Sequence, residues 1–234
     1  MQDLRFPDAN TLAQQLAGDL ANRMRKCIAQ NGHVSVALSG GKTPLLFMQA
    51  LSQEKMDWDN VLITQVDERW VDDKNDASNA KLIRQHLLQG AAADAYFLPL
   101  KNTAKSPVYG FMESENRLHE QIAKLDYAVL GMGLDGHTAS WFPHSKALAA
   151  VLNEQSNARC APVVDAPEFA QRMTLTWRFL AQCRHLFVHM EGTEKDMVLT
   201  QALLPERAHD IEAMPIRKIL TQSQVPVSIY RTFN

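Results

Sequence analysis

His33-Val34-Ser35-Val36-Ala37-Leu38-Ser39-Gly40-Gly41-Lys42-Thr43-Pro44 decides the architecture. Val34, Val36 and Leu38 supply the apolar positions of a short strand, and Ser39-Gly40-Gly41 breaks it. Thr43-Pro44 then opens a helix through Leu51, with Thr43 as N-cap and Pro44 at the first helical position. A strand that ends in glycines and runs directly into a helix is the repeating unit of an α/β fold.

The same pattern extends outward. Upstream, Leu12, Leu16, Leu20, Met24 and Ile28 recur at four-residue steps and predict a helix over 9–29. Downstream, 61–66 reads as a strand with Asp67-Glu68-Arg69 as its polar end, followed by a helix over 78–88. Further strands are expected at 126–130, ending in Gly131-Met132-Gly133, and at 184–190 and 225–230, while 173–177 alternates as an extra strand. Residues 153–157 and 161–167 read as one long surface connection. Strands alternating with helices predict one α/β domain over residues 1–234, with an open, mainly parallel, Rossmann-like sheet flanked by helices on both faces.

Composition narrows the function. The chain has 234 residues, 46% of them hydrophobic, enough to bury one large core. A formal net charge of -2 leaves no excess of positive charge for a nucleic-acid backbone or an anionic membrane surface. No apolar run approaches the roughly 20 residues of a spanning helix, and 1–10 lacks the layout of a signal peptide, so a cytoplasmic location is expected. Cys27, Cys160 and Cys183 are odd in number and widely spaced, which suits reduced thiols.

In an open parallel sheet, ligands bind beyond the carboxyl ends of the strands. Four polar clusters stand there: Ser39 to Thr43, Asp67-Glu68-Arg69, Asp135-Gly136-His137-Thr138, and Gly192-Thr193-Glu194-Lys195. Parallel strands would bring all four to one pocket. In the first, glycines allow close backbone approach and Ser39, Lys42 and Thr43 add donors, a combination suited to phosphate. It is not a nucleotide P-loop, whose spacing would require glycine at Val36. A tight turn without a ligand is the competing reading of this cluster alone.

Gly131-Met132-Gly133-Leu134-Asp135-Gly136 matches the dinucleotide pattern GxGxxG, but Pro143 interrupts the helix that should follow. These glycines therefore read as loop geometry. Within that loop Asp135 lies two residues from His137, where a carboxylate orients an imidazole suited to base catalysis. Arg69 suits a carboxylate, a phosphate or a developing oxyanion. With no HExxH and no Cys/His cluster, no metal is expected.

Three segments carry a family resemblance: Ser39-Gly40-Gly41-Lys42-Thr43-Pro44; Asp67-Glu68-Arg69-Trp70-Val71 with Ser78-Asn79; and the run from Gly131 to Pro143. In order and spacing they resemble the signature segments of 6-phosphogluconolactonases. Arg172 to Thr176 and Gly192 to Lys195 resemble later segments, so the likeness covers nearly the whole chain.

The resemblance implies hydrolysis of 6-phosphoglucono-δ-lactone to 6-phosphogluconate in the oxidative pentose phosphate pathway, without a metal or organic cofactor. By the same resemblance His137 is the base, Asp135 sets its tautomer and charge, and Arg69 stabilises charge near the carbonyl with Asp67 nearby. Ser39, Gly40, Gly41, Lys42, Thr43, Arg172 and Lys195 are the expected phosphate-side residues. The sequence departs from the family pattern at Lys42, usually a small hydroxyl residue, at Leu134, usually proline, and at Asp196, usually alanine. The expected partner is a small sugar phosphate bound by a monomer or small homo-oligomer, with no nucleic acid and no membrane.

Two alternatives remain. The related glucosamine-6-phosphate deaminases or isomerases share the Asp-Gly-His loop but carry an acid shortly after it, where this chain has Trp141-Phe142-Pro143-His144. A non-catalytic sugar-phosphate sensor would need the phosphate donors but no placed base.

Overall fold

In the computed structural model, which describes residues 1–232, the chain alternates strands and helices nearly throughout. The elements are β1 (Gln2–Phe6), α1 (Ala9–Asn31), β2 (Val34–Leu38), α2 (Leu45–Ser52), β3 (Val61–Gln65), β4 (Asp67–Arg69), α3 (Asn79–His86), β5 (Tyr96–Phe97), α4 (Pro107–Gln121) and β6 (Tyr127–Leu130). There follow α5 (Leu148–Val151), β7 (Cys160–Val163), β8 (Arg172–Leu175), α6 (Trp177–Leu180), β9 (His185–Met190), α7 (Thr193–Ala202), α8 (Arg217–Thr221) and β10 (Val227–Thr232). The last two residues of the expected 1–234 domain lie outside the described residues.

Seven strands form a sheet in the order β1-β10-β9-β6-β2-β3-β5, and every pairing in it is parallel. Because side chains alternate across a strand, each strand feeds two cores. Val36, Tyr127, Val129 and Phe187 point to one face, packed with Leu12, Leu16, Phe47 and Ile83 of α1, α2 and α3. Ala37, Ala128, Leu130, Leu186 and Val188 point to the other, packed with Leu118 of α4, Leu180 of α6 and Ile219 of α8. The fold is thus the expected mainly parallel α/β sheet with helices on both faces.

Three expectations are corrected. Asp67–Arg69 is not the polar end of β3 but a separate strand, antiparallel to β8, in a second sheet of order β4-β8-β7. Val66 is the pivot: its N–H still reaches Leu38 while its carbonyl accepts from Leu175, so the chain changes sheets there. The stretch 161–167 is not all surface connection, because Cys160–Val163 pairs with β8 as β7. Finally, Thr43 is not the N-cap of α2; Pro44 occupies that position without a side-chain cap.

The order reverses at β2. From it the chain proceeds through β3 to β5 on one side, then returns to place β6 on the other. Such a switch point opens a crevice at the carboxyl ends of the two strands. Here the Gly131 N–H after β6 donates to Ser39 Oγ after β2 at 3.0 Å, so the crevice is bridged at its base.

Candidate active site

A cavity of about 340 Å³ occupies this crevice and is lined from all four loop clusters. Ser39 to Thr43, Asp67, Arg69, His137, Arg172 and Lys195 all contribute to its lining. Asp135 does not line it but contacts His137, which does.

The first wall is the loop between β2 and α2. The backbone N–H groups of Gly40, Gly41, Lys42 and Thr43 have no protein acceptor among the described residues, so they are open to a bound anion. Gly41 has φ 97°, a left-handed conformation that favours glycine. Gly40 is required for a different reason: a Cβ there would lie 1.8 Å from Asn79 Oδ1. The Thr43 hydroxyl is turned away from the helix it was expected to cap and accepts from Lys195 Nζ at 3.2 Å. Burial pushes the Lys195 ammonium below its usual range, opposed by the nearby Glu191 carboxylate. Asp196 is ion-paired to Arg231, so its carboxylate is engaged away from Lys195.

The second wall is the small sheet. Its register sets Arg69 opposite Arg172 and Asp67 opposite Thr174. Alternation splits the Asp67-Glu68-Arg69 cluster: Asp67 and Arg69 face the cavity, whereas Glu68 is buried behind it. Glu68 accepts backbone N–H bonds from Arg69, Asn79 and Ala80, each at 2.8 Å, and so anchors the start of α3.

Asp67 is also buried, its Oδ2 accepting from Ser140 Oγ at 2.5 Å and lying 3.6 Å from Arg172 Nη1. Arg172 donates to the carbonyls of Phe169 and Glu168 and lies over the Phe142 ring at 5.0 Å. Its guanidinium is therefore held in one pose, with Asp67 beside it.

The third wall carries the histidine. His137 Nδ1 lies 2.6 Å from Asp135 Oδ1, and the His137 backbone N–H donates to the same oxygen at 3.0 Å. The ring rests on Phe142, centroids 4.5 Å apart. A Cβ on Gly133 would lie 2.2 Å from His137 Nδ1 and Cε1. The glycine at that position of GxGxxG thus makes room for an imidazole, which explains the resemblance to a dinucleotide loop without a dinucleotide. With Nδ1 bound to the carboxylate, Nε2 is the ring nitrogen left to act at the cavity. Among the described residues no group of three or more His, Cys, Asp or Glu side chains is placed to hold a metal ion.

Three buried side-chain atoms lack a hydrogen-bond partner among the described residues: Arg69 Nε, Asn79 Oδ1 and His189 Nδ1. All three residues line this cavity. Unpaired buried polar atoms are rare in folded proteins, and their concentration here marks a surface built for a polar ligand. Sequence reasoning gave no role to Asn79 or His189. Asn79 follows the helix cap Ser78 and reads as the start of α3; His189 lies in a strand beside apolar residues and carries no signal of its own.

Comparison with known proteins places the whole fold among characterised relatives. Residues 7–227 match the family described as glucosamine-6-phosphate isomerases/6-phosphogluconolactonase. A 6-phosphogluconolactonase of Pseudomonas putida is 40% identical over 223 residues, covering 95% of this chain and 89% of its own. One of Rhizobium meliloti (strain 1021) is 38% identical over 226 residues, covering 96% of both. The crystal structure of a 6-phosphogluconolactonase from Shewanella baltica OS155 superposes with a TM-score of 0.93 at 38% identity, covering 99% of this chain and 97% of that one.

Proposed function

The chain belongs to the family of glucosamine-6-phosphate isomerases and 6-phosphogluconolactonases, and on that premise we propose that it hydrolyses 6-phosphoglucono-δ-lactone to 6-phosphogluconate, with His137 as the base. The observation that carries the assignment is the 2.6 Å contact between Asp135 and His137 Nδ1. It leaves the Nε2 lone pair free on a ring that lines the same cavity as the open N–H groups of the glycine loop.

In this mechanism His137 Nε2 removes a proton from water as its oxygen attacks the lactone carbonyl carbon. The carbonyl electrons move to oxygen, and Arg69 stabilises the resulting oxyanion. The tetrahedral intermediate then collapses, breaking the bond to the ring oxygen, which takes the proton back from His137. Asp135 holds the Nδ1–H tautomer and steadies the imidazolium between the two transfers. No metal or organic cofactor is needed for these steps.

Ser39, Gly40, Gly41, Lys42, Thr43 and Lys195 hold the phosphate, with Arg172 adding fixed positive charge. Asp67, whose carboxylate already engages Ser140 and Arg172, serves as a positioning residue. Phosphate binding far from the reacting carbon orients the lactone for attack.

We assign residues 1–234 to one catalytic domain acting in the cytoplasm on a small sugar phosphate, as a monomer or small homo-oligomer. No helix among the described residues is long and apolar enough to cross a membrane. The family's other activity goes, by the same resemblance, with an acid just beyond the histidine loop, where this chain has Trp141-Phe142-Pro143-His144. Parallel assays decide between them: freshly generated lactone followed by NMR should decay faster than its blank, and glucosamine 6-phosphate should release no ammonia. Ammonia release without lactone hydrolysis would overturn the assignment.

A further inference from the structure

His189 lies near the end of β9, is 2% exposed and lines the cavity on its phosphate side, with Lys195 of α7 close enough to act on it electrostatically. Its Nε2 is 3.0 Å from Glu191 Oε1, so Nε2 carries the hydrogen and donates it to the carboxylate. Nδ1 is then a bare lone pair, and it is one of the three unpartnered buried atoms. A lone pair facing the oxygens of a phosphate dianion is repulsive. Placing a proton between them turns the contact into a charge-assisted hydrogen bond.

The surroundings of His189 set up this exchange. Burial pushes the imidazole below its usual value; Glu191 opposes that shift and Lys195 adds to it. From α2 the Phe47 ring meets it edge on at 6.0 Å. From β10 its register partner is Tyr230, whose hydroxyl is committed to Asp19 of α1. The arriving dianion is therefore the one added charge that draws a proton onto the ring.

We propose that His189 is a further substrate-binding residue, and that one proton from solvent enters a hydrogen bond between its Nδ1 and the phosphate as the phosphorylated substrate docks. The inference rests on the lactonase reading of the site. Phosphate affinity then carries a proton linkage centred on His189, which the backbone N–H groups of the glycine loop, having no titrating proton, would not give.

The test is calorimetric titration of the whole protein with 6-phosphogluconate at about pH 8, where a phosphate monoester of second pKa about 6 is a dianion. Two buffers of different ionisation heat report the protons taken up. Wild type should take up close to one proton per site. His189→Asn, which keeps a donor at the Nδ1 position without titrating, should take up almost none and bind roughly tenfold more weakly.

Glu191→Gln, at a partly exposed position, provides a second variant and should lower the uptake without abolishing binding. Binding by active wild type without proton uptake overturns this inference and leaves the lactonase assignment standing. Uptake that persists in His189→Asn also overturns it and moves the proton to another group, Lys195 first. Absence of both 6-phosphogluconate binding and lactone hydrolysis overturns the assignment and this inference together.

Discussion

One carboxylate oxygen, Asp135 Oδ1, holds two nitrogens of the same neighbour: His137 Nδ1 at 2.6 Å and the His137 backbone N at 3.0 Å. The pair fixes both the loop and the imidazole, so the orientation of the ring does not depend on bound substrate. Phe142 backs the ring from the other side.

Replacing Asp135 by Asn keeps the size of the side chain but presents an amide that no longer enforces one tautomer. We expect kcat to fall on the order of 100-fold or more with KM little changed. Burial alone would push the Asp135 carboxyl up, but hydrogen bonding to His137 and its charge more than offset this, leaving it below its usual value. The ionised form is thus favoured by folding. Its contribution to stability is complete above the unfolded value of about 3.9 and is lost as pH falls through the lower folded value. Melting temperatures of wild type and Asp135→Asn should therefore differ at about pH 5 and draw together as the pH is taken below about 3.9.

Gly133→Ala places a methyl group 2.2 Å from the His137 ring. The ring must leave its seat, so kcat should drop by at least tenfold while 6-phosphogluconate binding, measured by calorimetry, changes by less than about threefold. Full activity in a folded Gly133→Ala protein would show that the ring position is unimportant.

Gly40→Ala collides with Asn79 Oδ1 instead, on the phosphate side. The expected effect is a rise in KM of roughly tenfold. Because the two residues meet directly, Gly40→Ala/Asn79→Ala should lose less than the product of the single losses, with a coupling of about 1 kcal/mol in a double-mutant cycle. Additive losses would place the effect of Gly40→Ala elsewhere.

Glu68 is a structural counterpart to these site residues. Its two oxygens accept five hydrogen bonds, and burial nonetheless raises its carboxyl above the usual value. Glu68→Gln turns an NH2 group toward N–H donors, which should cost about 3 kcal/mol in urea unfolding. A cost under about 0.5 kcal/mol would mean that the start of α3 is held by other contacts.

Much of the site was legible because its residues interrupt apolar strands. Ser39-Gly40-Gly41, Asp135-Gly136-His137 and Gly192 to Lys195 are turn-forming and polar and each comes after a strand, so the adjacent parallel strands β2, β6 and β9 gather them. The second sheet was hidden because Asp67–Arg69 follows β3 after a single residue, and nothing local marks the change of partner at Val66. β1, with a mostly exposed pattern, and β5, two residues long, depend on tertiary pairing. α4 did carry a local sign: Ser106 caps it and Pro107 opens it. Thr43 misled because a hydroxyl before proline suits a cap, while here it is held by Lys195 from a strand–helix unit 152 residues away. His189 was concealed by its apolar neighbours Val188 and Met190, since a single strand position does not show which face borders a cavity.

The role of His137 as the base is tested most directly by the decay of freshly generated 6-phosphoglucono-δ-lactone, followed by NMR with wild type, with His137→Ala and without protein. Wild type should accelerate the decay, and a folded His137→Ala variant should lose about 100-fold or more in kcat. A variant with wild-type kcat would contradict the assignment of His137 as the base.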